Sequence, residues 1–407
     1  MQQSNTKQIP FAEFVTLIAL LISLAALSID SMIPALGEIG RDLKVADPND
    51  NQLVIIAFLA GMGIGQFLYG PLSDSFGRKL AVLLGLSIFV LGTVLSITAE
   101  SYPQMLLGRV LQGFGLAGPR VVSVALVRDL YSGRAMARVM SFIMSVFILV
   151  PMMAPALGQL VLSFADWRMI FTGLLSIAVV LGVWFFVRLS ETLAMDKRRS
   201  FAPAALWLGF KEVMSNRVAM GFTLLTSLVF GGFLGYLSLS QPILQTQYGL
   251  GTRFPLYFAI LAGAIGLASL VNTRLVGRYG MWRLTIFAIL SIALTSLIYG
   301  GVALTYSGHP PLASLVIYLL LVFFATGLLF GNLNTMAMEP LGHLAGLGAG
   351  LISAISTMLS IIPGMIIGKL YNQTVYPVVG GFLVLMTFGL LVCYWLHRYA
   401  DVGEGER

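Results

Sequence analysis

The sequence predicts an all-α integral membrane protein of twelve spanning helices in two six-helix bundles, and three observations support the membrane class. The 407 residues are 58% hydrophobic and 10% charged, with mean hydropathy +0.91, whereas a soluble globular chain carries about 25% charged residues. Apolar runs of about 20 residues recur along the chain, the length that crosses roughly 30 Å of hydrocarbon as a helix. The alternation of polar and apolar residues that marks a membrane barrel is absent.

The spans begin near Phe11, Gln52, Leu80, Pro103, Ala137, Trp167, Val218, Pro255, Leu284, Pro311, Gly346 and Pro377. The first lacks a basic n-region and a small-residue cleavage site, so it reads as a retained helix and not a signal peptide. With both termini cytoplasmic, 17 of the 24 Lys and Arg fall on the inner side, five outside, and Arg109 and Arg120 within the membrane. That asymmetry orients the chain. It also accounts for the +7 net charge without a nucleic-acid partner.

The first span holds Asp30, the one acidic side chain placed well inside an apolar segment. An ionisable group there costs about 2.5 to 3.5 kcal/mol on insertion scales, so by default it marks a path for ions or substrate. Asp30 lies about six residues before the outer end of its span and Arg109 about six beyond the outer start of the fourth. Each is then about 9 Å deep, within reach of the other. A carboxylate and a guanidinium in a gated cavity can alternate between proton-loaded and ion-paired states, or form a permanent structural salt bridge. Arg120 follows Arg109 by eleven residues, a rotation about 20° past three full turns, so it shares that helix face about 16 Å deeper. Gln112, Gly113 and Leu116 lie on the same face. Two positive charges against one negative favour an anionic substrate; the alternative is an Arg that snorkels or bonds carbonyls freed by Pro119.

Further along, Met144, Met152 and Met153 on the fifth span, Phe233, Tyr236 and Gln241 on the seventh and Tyr257 on the eighth are candidates for an adaptable cavity wall. Asn332 and Asn334 of the tenth are costly facing lipid and are assigned to a partner helix or the cavity. Pro151, Pro155 and Gly158 on the fifth, with Pro363, Gly364 and Gly368 on the eleventh, are expected to kink or pack helices where the halves join. The longest non-helical stretch, residues 191–216 with Lys197, Arg198 and Arg199, reads as a cytoplasmic linker between residues 1–190 and 217–407. Phe58-Leu59-Ala60-Gly61 is echoed by Ile260-Leu261-Ala262-Gly263, each followed by a basic, glycine-containing loop, as in transporters built from two related halves. The lone cysteine, Cys393, excludes an intramolecular disulfide. His309, His343 and His397 are scattered, and no metal-ligand spacing or Walker loop is present, so neither cofactor nor metal is expected and the chain is not read as an enzyme.

Three motifs resemble those of the major facilitator superfamily. Gly70-Pro71-Leu72-Ser73-Asp74-Ser75-Phe76-Gly77-Arg78-Lys79 is similar to its G-x-L-a-D-r-x-G-r-k loop, and Arg109-Val110-Leu111-Gln112-Gly113 to its R-x-x-Q-G element. Ala154-Pro155-Ala156-Leu157-Gly158-Gln159 resembles the antiporter motif G-P-x-x-G-G, with Ala154 and Gln159 in place of two glycines. Ser28 to Leu36 resembles the start of the bicyclomycin and chloramphenicol resistance branch of drug/proton antiporters. The resemblance implies two six-helix bundles around a cavity that faces each side in turn. It also implies a cytoplasmic latch at the first loop, in which Asp74 pairs with Arg78 or faces the N-terminus of the eleventh helix, and Arg78 reaches Asp129.

The expected function is proton-coupled export of small organic molecules from a bacterial inner membrane, by a monomer. Export of an endogenous anionic metabolite, such as a carboxylate siderophore, is the alternative within transport. A transport-dead sensor or scaffold is the alternative outside it.

Overall fold

The computed structural model describes residues 9–198 and 203–399. Arg199, and the side chains of Met144, Lys197 and His343, lie outside the described residues. The chain is helical throughout: α1 (Phe11–Asp30), α2 (Leu36–Asp42), α3 (Leu53–Phe76), α4 (Arg78–Ile97), α5 (Tyr102–Leu130), α6 (Gly133–Leu162), α7 (Trp167–Arg188), α8 (Pro203–Ser215), α9 (Arg217–Ser240), α10 (Phe254–Tyr279), α11 (Met281–Thr305), α12 (Leu312–Met338), α13 (Ala345–Lys369) and α14 (Tyr376–Tyr399). Among the described residues, eleven helical segments are long and apolar enough to cross a membrane. The 30-residue α6, whose apolar part is Leu149–Leu162, supplies the twelfth predicted span.

Two elements differ from the sequence expectation. The first span does not end near Leu36; it breaks after Asp30, passes through a 3-10 turn at Ile33–Ala35, and resumes as α2 to Asp42. Pro34 explains the break, because it offers no N–H to the helix. The linker read as non-helical contains α8, whose Phe210 ring meets Phe67 of α3 at 6.0 Å while Trp207 and Leu208 are exposed.

Small residues set the helix spacing. Gly61 of α3 lies under the carbonyl of Val110, Gly65 against Ala117 and Phe114, and Gly113 of α5 against the carbonyl of Phe58, each with no room for a Cβ. Without a hydrophobic drive between helices in lipid, such close backbone approach is what holds them together. The second bundle repeats the device, with Gly327 of α12 against Ile265 and Ala268 of α10. Gly77 (φ 106°, ψ 155°) and Gly280 (φ 77°, ψ 158°) make the same turn at equivalent joins, in a region open to glycine and strained for other residues. The repeat is therefore firmer in backbone than in sequence: Gly61 packs on α5, but its echo Gly263 faces Met152 of α6.

Across the bundles, α3 packs along α13 and α10 along α6, the reciprocal exchange that a pseudo-two-fold arrangement produces. The expected hinge residues do not all lie there. Gly158 sits under the carbonyl of Ser31, while Pro363 meets Gly231 and Gly364 meets Leu234 of α9, all within their own bundles. Gly368 alone of these faces across, against Gln52. Pro151 and Pro155 lie inside an α6 that runs unbroken through them.

Candidate functional site

The break in the first span creates the chemistry at its centre. Twelve residues separate Asp30 from the end of α2, so Asp30 lies about 18 Å from that end, twice the depth expected from sequence. It is 5% exposed, and among the described residues it has no cation or hydrogen-bond donor. Arg109, fully buried, does not pair with it. Its guanidinium instead donates to the carbonyl of Val54 (3.0 Å), to Oε1 of Gln112 (2.6 Å) and to the carbonyl of Ser28 (3.2 Å), over the Phe58 ring at 4.6 Å.

That geometry has a local cause. The amide of Met32 turns to Ile29 in the 3-10 bend, which leaves the Ser28 carbonyl without its helical donor. Arg109 supplies one. Ser28 and Asp30 are about 200° apart around α1, so a guanidinium bonded at Ser28 stands on the far side of the helix from the Asp30 carboxylate. Gln112 passes the contact on, donating to Oγ1 of Thr93 on α4 (3.0 Å). The expected Asp30–Arg109 pair is thus replaced by a clamp joining α1, α3, α4 and α5.

The remaining expected residues of α5 divide. Gln112 and Leu116 are fully buried between helices and Gly113 is a contact point, so all three pack rather than line a cavity. Arg120 is half-buried. Its Nη1 lies 3.8 Å from Sδ of Met62, a weak acceptor, and no carboxylate among the described residues pairs with it.

In the second bundle, Phe233 joins Phe230, Phe323 and Phe330 in an aromatic cluster across α9 and α12. Tyr236 meets Phe323 edge-on at 4.7 Å, and its buried hydroxyl has no partner. Tyr257 is half-buried, Met152 faces Gly263, and Met153 is exposed. Asn332 exchanges both amide bonds with Asn272 of α10, at 2.9 and 3.1 Å, and so faces a partner helix. Asn334, two residues on, is exposed. Gln241 lies at the end of α9, next to Gly37.

At the linker end, Arg78 is 4% exposed and shared by Asp74 (2.5 Å), Asp129 (3.0 Å) and Ser73 (2.7 Å). Gly70 leaves open space where a side chain would stand. A member of this cluster that sequence reasoning missed is Glu191. Its carboxylate accepts from the amides of Arg78 (2.9 Å) and Lys79 (3.0 Å), capping the positive end of α4. The Gly77 turn leaves no room for a Cβ beside it. All these contacts lie within the first bundle and its linker, and none is made to the N-terminus of α13 among the described residues.

The opposite end, outer in the expected orientation, ties the bundles together. Asn49 donates to the carbonyls of Lys369 (3.3 Å) and Tyr371 (3.1 Å), and Lys369 pairs with Asp50 at 2.6 Å. Gln52 donates to Met365 (3.5 Å) and Gln245 to Gln159 (3.3 Å). None of these ties was foreseen from sequence, because short polar loops carry no periodic signal.

The family model for the Major Facilitator Superfamily matches residues 18–365. YdgK, described as an MFS-type transporter of Bacillus subtilis, is 32% identical over 94% of each chain. A bicyclomycin resistance protein homolog of Haemophilus influenzae is 28% identical over 94% of this chain and 96% of the relative, and multidrug resistance protein D of Escherichia coli is 26% identical over 93% and 94%. Among solved structures, the xylose transporter XylE of Escherichia coli in a partially occluded inward-open conformation superposes with TM-score 0.71 at 15% identity, over 95% of this chain and all of that one. With the motifs, the twelve predicted spans and the reciprocal bundle contacts, these matches place the chain in the major facilitator superfamily.

Proposed function

We propose that the chain is a proton-coupled exporter of small organic molecules, of the multidrug or antibiotic efflux type, working by alternating access between its two bundles. The observation that carries this reading is Asp30: a buried carboxyl at a helix break, with no cation among the described residues to hold it charged, is a group that can take up and give back a proton as its surroundings open. The resistance proteins among its relatives support the efflux direction and the substrate class. The outer ties account for one closed side, and export requires that they open. Arg109 acts on Asp30 only by holding the break in place, and the aromatic cluster around Phe233 and Tyr236 offers an apolar wall.

In this reading the Asp74–Arg78–Asp129 cluster braces the linker end of the first bundle as a rigid unit, so that the bundle rocks without deforming. Asp74→Asn is expected to lower turnover by about two- to fivefold, because it removes an ion pair whose carboxylate is 39% exposed and which is therefore worth up to about 1 kcal/mol, while leaving substrate affinity unchanged. Turnover and binding measured on the same preparation check this; loss of affinity instead would remove the bracing role.

Arg120 favours a second reading, export of an anionic metabolite, since its guanidinium has no carboxylate partner among the described residues. If the substrate is an anion, Arg120→Ala is expected to weaken it by about 1.5–3 kcal/mol, roughly tenfold or more, and to leave neutral or cationic drugs unaffected or bound more tightly. Titration of both classes against wild type and variant decides. Equal small losses for both would leave drug efflux as the sole reading.

A further inference from the structure

The side of the first bundle carries a crevice of about 430 Å³. Its floor is the stretch of α1 from Leu20 to Leu27, one wall is α7 from Ser176 to Trp184, and Val150 of α6 closes the other side. None of its lining residues is charged. Ser176 turns its hydroxyl back to the carbonyl of Thr172 (2.9 Å), so it holds nothing out to water. Val180 on the rim is 63% exposed, and the crevice lies within the spanning lengths of α1 and α7, so what reaches it in a bilayer is hydrocarbon.

Shape selects the occupant. The α7 wall rises about 12 Å along the helix, and one leaflet supplies about half of the roughly 30 Å core, so the crevice matches one lipid chain lying parallel to the helices. Left empty, its lining would forfeit dispersion contacts on the open side. A neighbouring helix would pack poorly here, because close approach in lipid uses small residues and the floor of this crevice presents Leu20, Leu24 and Leu27.

The linker end of the crevice supplies the polar part. There the indole N–H of Trp184 donates to the Glu13 carboxylate (3.0 Å), and Arg188 donates to both oxygens of Glu13, at 2.5 and 2.6 Å. The side chains of Arg188 and Glu13 are 40% and 21% exposed. Both signs of charge therefore stand side by side where the apolar crevice ends, beside a tryptophan of the kind that marks headgroup level. A headgroup of net charge is drawn by one of these side chains and repelled by the other. A zwitterionic one suits both.

We propose that this crevice binds one acyl chain of a zwitterionic, amine-bearing phospholipid, with the phosphate at Arg188 and the ammonium at Glu13. The guanidinium carries five N–H donors and gives two to Glu13, which leaves others for phosphate. The far end of the chain lies at Leu27, three residues before Asp30, so the lipid supports α1 just below its break. The site does not depend on proton coupling or on the transported substrate.

The test uses the full chain in phosphatidylglycerol nanodiscs, with rising fractions of phosphatidylethanolamine brominated on its chains. Trp184 reports the crevice, its share of the fluorescence being the difference between wild type and Trp184→Phe. That share is expected to be quenched saturably, at a lower lipid fraction than quenches the remaining tryptophans. Ser176→Phe with Val180→Phe, which fill the crevice from exposed positions, should abolish the early phase; Ser176→Phe alone decides the point if the double variant does not fold. Glu13→Gln should remove the preference over brominated phosphatidylglycerol titrated in the same way. Quenching of Trp184 in simple proportion to the lipid fraction, or an early phase that persists in a folded, filled variant, overturns the site. Equal or earlier quenching of wild type by brominated phosphatidylglycerol, or an unchanged preference in Glu13→Gln, overturns the zwitterionic class.

Discussion

Asp30→Asn is expected to abolish uptake into everted vesicles driven by an imposed pH gradient, while the protein inserts, folds and binds substrate. The amide keeps the shape of the carboxyl but cannot carry the proton. Folding should be spared for a structural reason. Asp30 has no salt bridge or hydrogen bond among the described residues, so the substitution breaks none, and it removes an ionisable group from a site where charge is costly. The thermal unfolding midpoint should therefore be equal to or above that of wild type. Concentrative, gradient-driven transport by the variant at the wild-type rate would end the coupling assignment.

Arg109→Ala should act in the opposite way, through stability. It removes the donor that satisfies Ser28, a carbonyl orphaned by the break in the first span, and leaves Val54 and Gln112 without their bonds. Each buried acceptor left unpaired costs about 1–3 kcal/mol, and the lost side chain adds a cavity. A destabilisation of about 3 kcal/mol or more is expected, read as a lowered unfolding midpoint and poor yield of monodisperse protein. Arg109→Lys should recover only part of it, because a single ammonium cannot reproduce the planar fork that reaches three acceptors on three helices. Wild-type stability in Arg109→Ala, with transport lost, would return Arg109 to the proton-coupling pair from which the structure separates it.

Much of the frame was legible in the sequence because it follows from length and solvent. Apolar runs of spanning length located all twelve spans to within a few residues, since a backbone in lipid must satisfy its own hydrogen bonds as a helix. The loop motif located the Asp74–Arg78 pair because the two residues are four apart in sequence and the Gly77 turn between them brings their side chains together. The same local reasoning misjudged the first span, because a proline near the membrane surface reads as an end when the chain in fact bends and continues.

Tertiary structure alone decided what the buried charges do. From one helix, Arg109, Gln112, Gly113 and Arg120 share a face, and sequence periodicity cannot say whether that face meets a cavity or a neighbour. The glycines of α3 and α5 settle it by drawing the two backbones into contact, which turns most of that face into packing. Partners such as Glu191 for α4, Asn272 for Asn332 and Asn49 for the end of α13 lie 60 to 322 residues away from the groups they satisfy. Membership of a spanning helix is a local property of about 20 apolar residues, and the sequence by itself determined it. Pairing of a charge is a property of whichever helix arrives beside it, and only the packed bundles determined that.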